Sequence, residues 1–283
     1  MKPVVVRGAG DLATGTIIAL SRAGWPVIAL ECATPSAIRR EAAFCEAVYK
    51  GEKTVEGVLC RRAATAEEAM RMADAGNPVI LVDESASSLR DLAPDILVDA
   101  ILAKRNCGTR RDMAPLTIAL GPGFTAGEDV DFVIETMRGH RLGRIISSGT
   151  AIPNTGIPGI IAGYGAERVI HAPGGGIFTA SHKIGDIVKK GEPLGLIETA
   201  DGESLPVPAS LDGVLRGLLP DGFRVYEGLK MADIDPRISE RENCLTVSDK
   251  ARCIAGSVLL LAAAFEHGCI EQVRREADET DRH

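Results

Sequence analysis

The chain of 283 residues has no long apolar run; its longest, Ile254 to Phe265 (IAGSVLLLAAAF), is 12 residues, too short to span a bilayer and suited to a buried helix. It also lacks the clustered lysines and arginines that bind phosphate backbones. With 32 basic against 39 acidic residues and a net charge of −7, the sequence argues against a nucleic-acid surface. Cysteine pairing is absent too. The seven cysteines, at 32, 45, 60, 107, 244, 253 and 269, are odd in number and form no C-x-x-C pair, which disfavours a zinc ribbon or a disulfide framework. Reduced thiols in a cytoplasmic protein are the expectation, with no membrane role and no leader before the first strand at Val4. No metal site is expected, since His171 and His182 stand alone, and Ser147-Ser-Gly149 does not match a nucleophile elbow.

What the chain does have begins at once. Val4 to Gly24 reads VVVRGAGDLATGTIIALSRAG, a β-branched run, then Gly8-Ala-Gly10-Asp-Leu-Ala13, then a helical pattern through Ile17 and Leu20. G-x-G-x-x-A between a strand and a helix is the turn of a nucleotide-binding βαβ unit. Gly8 permits the tight turn, Gly10 lets backbone approach a phosphate, and small Ala13 lets helix and strand pack closely. A second run, Pro26 to Leu30, ends in Glu31, placed where an acid would grip a ribose diol. Asp11 runs against this, because a carboxylate beside the turn repels a dianion unless it faces away or holds a metal. The alternative is a domain of the same shape whose crevice is empty or serves a partner.

The α/β alternation continues with a helical segment near Ala37 to Val48, a strand near Gly57 to Cys60, and a helix over Thr65 to Ala75 opened by Thr65-Ala-Glu-Glu68. Strands follow at Val79 to Val82, Ile96 to Val98 and Leu116 to Leu120. Val82-Asp83 ends as Leu30-Glu31 does, and Gly121-Pro-Gly123-Phe124 makes a second turn at the carboxyl edge where function is expected. From Gly149 glycine and proline become dense and helical periodicity fades until Lys250, which reads as a β-rich module. Within it, an offset of 37 residues aligns Gly176 with Gly213, Gly185 with Gly222, Val188 with Val225 and Gly191 with Gly228, an internal duplication. The duplication resembles the biotinyl and lipoyl carrier fold, a barrel-sandwich hybrid. The hairpin that carries the modified lysine in those carriers reads Glu198-Thr-Ala-Asp-Gly-Glu-Ser204 here, without lysine, so carrier function is disfavoured. A helix from Lys250 to Glu266 and a charged, frayed tail after Gln272 close the chain.

The expected fold class is therefore α/β: a Rossmann-like, mostly parallel sheet domain over 1–148, a β-rich module with a duplicated barrel-sandwich-hybrid segment over 149–240, and a C-terminal helix and charged tail over 241–283.

Three stretches together, Val6-Arg-Gly-Ala-Gly-Asp-Leu-Ala-Thr-Gly15, Ala114-Pro-Leu-Thr-Ile-Ala-Leu-Gly-Pro-Gly-Phe124, and Gly139-His-Arg-Leu-Gly143 with Pro153-Asn-Thr-Gly-Ile-Pro158, resemble the YqeB family of accessory proteins for selenium-dependent molybdenum hydroxylases. More distantly the chain is similar to the XdhC/CoxF maturation factors, which usually place histidine where Asp11 stands. The resemblance implies a maturation factor that binds molybdenum cofactor (molybdopterin or its dinucleotide) and docks on a molybdenum hydroxylase apo-enzyme. The cofactor-binding candidates are Gly8, Gly10, Asp11, Ala13, Glu31, Asn106, Thr109, Gly121 and Gly123. An NAD-dependent oxidoreductase, suggested by Glu31, is the alternative.

Lys104, Arg105, Arg110 and Arg111 around Asn106 and Thr109 form a basic loop that binds an anion or is merely solvated, and Arg138 and His140 could present a cation and an acid/base group. Cys107, in the same basic loop, is the candidate nucleophile for a third reading, sulfur or selenium transfer.

Overall fold

A computed structural model describes residues 2–74, 76–156 and 159–280. Ala75 of the expected third helix, Ile157 and Pro158 of the Pro153–Pro158 stretch, and the last three residues of the tail lie outside the described residues.

The chain forms two compact units. Unit 1 comprises Met1–Pro35, Ala43–Thr155 and Val247–His283; unit 2 comprises Ser36–Ala42 and Gly156–Thr246. Unit 1 carries β1 (Val4–Arg7), α1 (Asp11–Arg22), β2 (Val27–Glu31), α2 (Glu46–Lys50), β3 (Glu52–Val55), β4 (Val58–Ala63), α3 (Ala66–Asp74), β5 (Val79–Val82), α4 (Leu89–Leu92), β6 (Ile96–Asp99), β7 (Leu116–Leu120), β8 (Thr125–Ala126), β9 (Phe132–Ile134), β10 (Ile145–Ile146) and β11 (Gly149–Thr150). Unit 2 carries β12 (Val169–His171), β13 (Gly176–Ala180), β14 (Ile187–Val188), β15 (Pro193–Glu198), β16 (Ser204–Pro208), β17 (Gly213–Leu218), β18 (Phe223–Val225) and β19 (Lys230–Asp235). The chain then returns to unit 1 for α5 (Asp249–Glu266) and α6 (Ile270–Thr280).

Nine strands of unit 1 form one sheet in the order β10-β9-β7-β6-β1-β2-β5-β4-β3. The inner pairs are parallel, and their strands read as near-continuous aliphatic runs because both faces are covered. The outer pairs, β3 with β4 and β9 with β10, are antiparallel. This corrects the expected fold class. A dinucleotide-binding Rossmann sheet runs 3-2-1-4-5-6, whereas here β5 sits between β2 and β4, and an antiparallel pair closes each edge. One cause is local: Glu56 and Gly57 both have positive φ, 48° and 79°, a two-residue turn that returns β3 directly onto β4 with Val55 opposite Val58.

In unit 2, two four-stranded antiparallel sheets, β12-β19-β17-β14 and β16-β15-β13-β18, replace the expected barrel-sandwich-hybrid description. Strand β14 of the first sequence copy pairs with β17 of the second, and β18 of the second pairs with β13 of the first, so neither copy has a complete sheet alone. Phe178, Leu194, Ile197, Val214, Leu215 and Ile234 are among the side chains that fill the shared core. Ile38 joins them from far back in sequence. Its backbone oxygen accepts the Leu218 N–H at 2.8 Å and its side chain lies against Gly217, where a Cβ would stand 3.0 Å away.

The units thus interrupt one another in sequence, unlike the three consecutive segments expected. Residues 37–48 are mostly irregular, a 3₁₀ turn at Arg40–Ala42 and the short α2, because part of that stretch is used by unit 2. The expected frayed tail is α6, held where Ser147 Oγ donates to Asp278 Oδ1 at 2.5 Å and Arg274 stacks 4.7 Å from the Phe132 ring centroid.

Helices α1 and α5 pack closely in unit 1. Ser248 caps α5 by accepting the Ala251 N–H at 3.2 Å, and the buried face of the helix runs through Ala251, Ile254, Ala255, Val258 and Leu261. Gly15 of α1 makes the approach possible: a Cβ there would stand 2.9 Å from Ala251 Cβ and 3.0 Å from its carbonyl oxygen. Gly15→Val is expected to destabilise unit 1 by about 1–3 kcal/mol through overpacking. Gly256→Ala in α5, where nothing lies within 4 Å of the new methyl, is expected to add about 0.5–1 kcal/mol by helix propensity. Urea unfolding followed by circular dichroism measures both, and equal midpoints for the two variants would contradict the packing assigned to Gly15.

Candidate functional site

The parallel strands end on one edge of the sheet, and the residues there are mostly charged. Arg7 ends β1, Glu31 ends β2, Asp99 ends β6, and Asp83 follows β5. A strand end leaves loop N–H groups without ladder partners, and buried or half-buried donors must be met by something. At this edge carboxylates meet them.

Glu31 accepts the Ala9 N–H through Oε2 at 2.8 Å and the Cys32 N–H through Oε1 at 2.9 Å. The acid expected to grip a ribose therefore braces the glycine turn. Asp83 accepts from Ser88 N–H at 2.7 Å, Ser87 N–H at 3.2 Å and Ser85 Oγ at 2.9 Å. Burial opposes its ionisation, but the hydrogen bonds from Ser88, Ser85 and Ser87 outweigh it and hold the carboxyl down at about 2. Glu135, just after β9 and almost fully buried, binds the Met137 N–H at 2.6 Å and the Ile152 N–H at 2.8 Å.

Between β1 and β6 lies a buried polar chain. Arg7 and Asp99 are 4% and 1% exposed, so each needs a partner. Arg7 Nη1 donates to Thr109 Oγ1 at 2.6 Å, and that hydroxyl donates to Asp99 Oδ2 at 2.5 Å. Arg7 Nη1 itself stands 3.9 Å from Asp99, and Nη2 reaches the carbonyls of Glu84 and Cys107. Burial pushes the Asp99 carboxyl up, against the opposing pull of Thr109, the Ile101 N–H and Arg7. Asn106 completes the loop, accepting the Gly108 and Thr109 N–H groups and donating to the Thr109 carbonyl, each at 2.8 Å. Asn106 and Thr109 thus fix the loop after β6.

Among the glycines, Gly8 has φ +95°, a left-handed conformation that other residues rarely adopt, and a Cβ there would stand 2.8 Å from the Ala100 carbonyl oxygen. Gly121 and Gly123 leave space for neighbours, the Thr136 hydroxyl and the Lys104–Arg105 backbone, each about 2.6 Å from where a Cβ would be. Gly10 is the N-cap of α1 with ordinary extended backbone (φ −64°, ψ −178°) and, as glycine, offers that helix no side-chain cap. Asp11 opens α1, half-buried, and Ala13 is buried against the sheet. The turns after β1, β6 and β7 are thus brought together, as are the candidates on them.

The basic loop divides. Arg110 pairs with Asp112 at 3.0 Å and Arg111 with Asp131 at 2.7 Å, while Arg105 is exposed beside Gly123. Cys107 is exposed, its thiol 3.8 Å from the Arg105 carbonyl. Arg138 binds Asp249 through two bonds of 2.9 and 3.0 Å, and His140 lies exposed in the following turn. Sequence reading missed Glu135 and Lys250. Lys250, in the first turn of α5, is half-buried; burial pulls its amine below the usual lysine range, Arg138 adds to this, and Asp11, Glu135 and Asp249 oppose it. Its only sequence signal is its place two residues after the capping Ser248. Among the described residues no cluster of three or more His, Cys, Asp and Glu side chains could hold a metal. A cleft of about 270 Å³ lined by Lys2, Val4, Trp25, Ile96 and Phe265 lies at the opposite, amino edge of β1 and β6.

No protein-family model matches the chain. It is 52% identical over 256 residues to a protein of Escherichia coli K12 named "Uncharacterized protein YqeB", covering 90% of this chain and 46% of that protein. The chain therefore spans about half the length of the curated relative it matches. Solved structures similar to it include a succinylglutamate desuccinylase/aspartoacylase from Rhodobacter sphaeroides, at 17% identity and a TM-score of 0.28 over 83% of this chain and 86% of that one. They also include an aspartoacylase family protein from Mesorhizobium loti, at 11% identity and 0.26 over 83% and 85%. Product-bound EutE (DoeB), an ectoine utilization protein from Ruegeria pomeroyi, matches at 13% and 0.23 over 81% and 52%.

These findings correct the resemblance drawn from sequence. The relative's name carries no activity, and these structural matches are desuccinylase, aspartoacylase-family and ectoine-utilization proteins, not XdhC/CoxF maturation factors. The role in maturing molybdenum hydroxylases and the NAD-dependent oxidoreductase alternative are withdrawn together with the Rossmann-like assignment. At TM-scores of 0.23 to 0.28 the matches transfer no activity to this chain.

Two outcomes test the edge. Because the Asp83 pKa is lowered on folding, its contribution to stability is present above the unfolded value of about 3.9 and lost as pH falls through about 2. An NMR titration of its carboxyl carbon should show that low midpoint, and one near the unfolded value would contradict the serine cage. Arg7→Met strands the buried Asp99 carboxylate and should cost about 3–5 kcal/mol at neutral pH. Since burial favours protonated Asp99, the loss should shrink on acidification, which urea titrations at two pH values would reveal.

Proposed function

We propose that unit 1 binds a small phosphate-bearing molecule at the carboxyl edge of its sheet. The observation that carries this reading is the division of labour among the charged groups there. Glu31, Asp83, Asp99 and Glu135 each use both carboxylate oxygens on loop donors. At the N-terminus of α1 the N-cap is Gly10, which has no side chain to offer, and exposed Arg105 lies on the neighbouring loop beside Gly123. Backbone N–H groups at a helix start and a nearby cation favour phosphate by hydrogen bonding and by the helix dipole.

Among the described residues no helix is long and apolar enough to cross a membrane, and all seven cysteines are free thiols. Free thiols support placing the protein in a reducing compartment, the cytoplasm.

Calorimetry against inorganic phosphate, pyrophosphate and ADP, with adenosine as the uncharged control, tests the reading. Molybdopterin dinucleotide and NAD, which both carry a pyrophosphate, serve as further probes. Binding of the anions but not adenosine is expected, and it should weaken as salt is raised. Gly10→Val, which sets a branched side chain at the N-cap of α1, should weaken binding about tenfold, about 1.4 kcal/mol, with a thermal midpoint measured alongside to separate this from the poorer N-cap. Absence of heat with every anion would overturn the reading.

A further inference from the structure

At the amino edge of the unit 1 sheet the starts of β1 and β6 open a cleft of about 270 Å³. Its floor is aliphatic: Val4 and Ile96 pair across the two strands and are almost fully buried. Trp25, the only tryptophan of the chain, lines it from the turn after α1. That turn is pinned beside β1, since the Trp25 backbone N–H donates to the Leu20 carbonyl at 3.1 Å and the Pro26 carbonyl accepts the Val4 N–H at 2.9 Å. Phe265 lines it from the end of α5, where the N–H groups of His267 and Cys269 close the helix onto the carbonyls of Ala263 and Ala264. The charges of the lining do not balance. Lys2, its one cation, is held 3.1 Å from Asp95, whereas Glu266, next to Phe265, is exposed and makes no ion pair among the described residues.

We propose that this cleft binds a small organic cation, an ammonium carried on an apolar body the size of a single ring. The faces of indole and phenyl rings attract a cation through the ring quadrupole. Glu266 supplies a charge of the matching sign beside one of those rings, and the floor of Val4 and Ile96 takes the apolar part of the ligand out of water. An anion would meet a carboxylate and ring faces of its own sign, with Lys2 already engaged by Asp95; a neutral ring would gain from burial alone. The volume lies just below the range of about 300–1,000 Å³ common for drug-sized ligands, which sets the ligand at fragment size. The cleft shares no residue with the carboxyl edge, so this proposal stands or falls separately from the phosphate site.

As the only tryptophan, Trp25 reports on the cleft directly. The test is a titration of the full chain followed by tryptophan emission, with benzylammonium, benzyl alcohol and benzoate, which share a ring and differ in charge. Benzylammonium should give a saturable change and bind about fivefold tighter than benzyl alcohol, the size of an exposed ion pair, with benzoate weakest. Added salt should narrow that gap. Glu266→Gln, at an exposed position on the end of α5, should remove the gap and leave the thermal midpoint in place. Trp25→Leu, read by saturation-transfer NMR on the ligand, should weaken benzylammonium binding several-fold. Equal affinity of wild type for benzylammonium and benzyl alcohol, or a gap unchanged in Glu266→Gln, overturns the assignment of a cation. Unchanged binding in Trp25→Leu, or no saturable change with any of the ligands, overturns the site. The comparison of ligands uses unaltered protein, so it decides the matter even where a variant fails to fold.

Discussion

Where parallel strands stop, the backbone loses its ladder and its N–H groups must find new acceptors in a partly buried setting. Unit 1 meets that demand with acids placed at or just beyond strand ends. Glu31 ties β2 to the glycine turn, Asp83 gathers three serines after β5, Asp99 anchors the loop after β6, and Glu135 draws in residues 137 and 152 after β9. The loops after β2, β5, β6 and β9 are each held by one of these carboxylates, and a carboxylate spent on backbone has less capacity to act on a ligand. The chemistry of the edge is left to backbone amides and cations.

Arg7 shows how far this goes. An arginine that ends the central strand and is buried on all sides tolerates its position only because a threonine hydroxyl, two carbonyls and Asp99 surround it. The pair fixes the geometry between β1 and β6, the two strands from which the sheet grows in opposite directions and where open α/β sheets place their ligands. The same tight closure explains why Gly8, Gly121 and Gly123 are glycines: backbone or side chains of adjacent loops occupy the places their Cβ atoms would take.

Unit 2 obeys a different constraint. Each sequence copy has too few strands to cover a core, and the exchange of β14 and β18 between copies lets two sheets bury one shared set of aliphatic side chains. Ile38 fills the space that Gly217 leaves, which draws a short piece of chain from before α2 into this unit.

By itself the sequence determined the inner strands and long helices, because β-branched runs such as Val4–Arg7 and Val79–Val82 and the Ser248-capped pattern of α5 carry their structure locally. It also placed the glycine turn, the acid at Glu31 and the polar loop around Asn106 and Thr109 near one another, since all follow strand ends. What only the tertiary structure decided was the insertion of β5 between β2 and β4, the packing of α6, and the task of each acid. Strand order depends on which edges are free when helices dock, and α6, with few apolar residues, gains its stability from Ser147 and Phe132, which lie more than a hundred residues earlier. The pattern showed an acid at the end of β2; that both its oxygens face backbone N–H groups follows from how the turn folds over it.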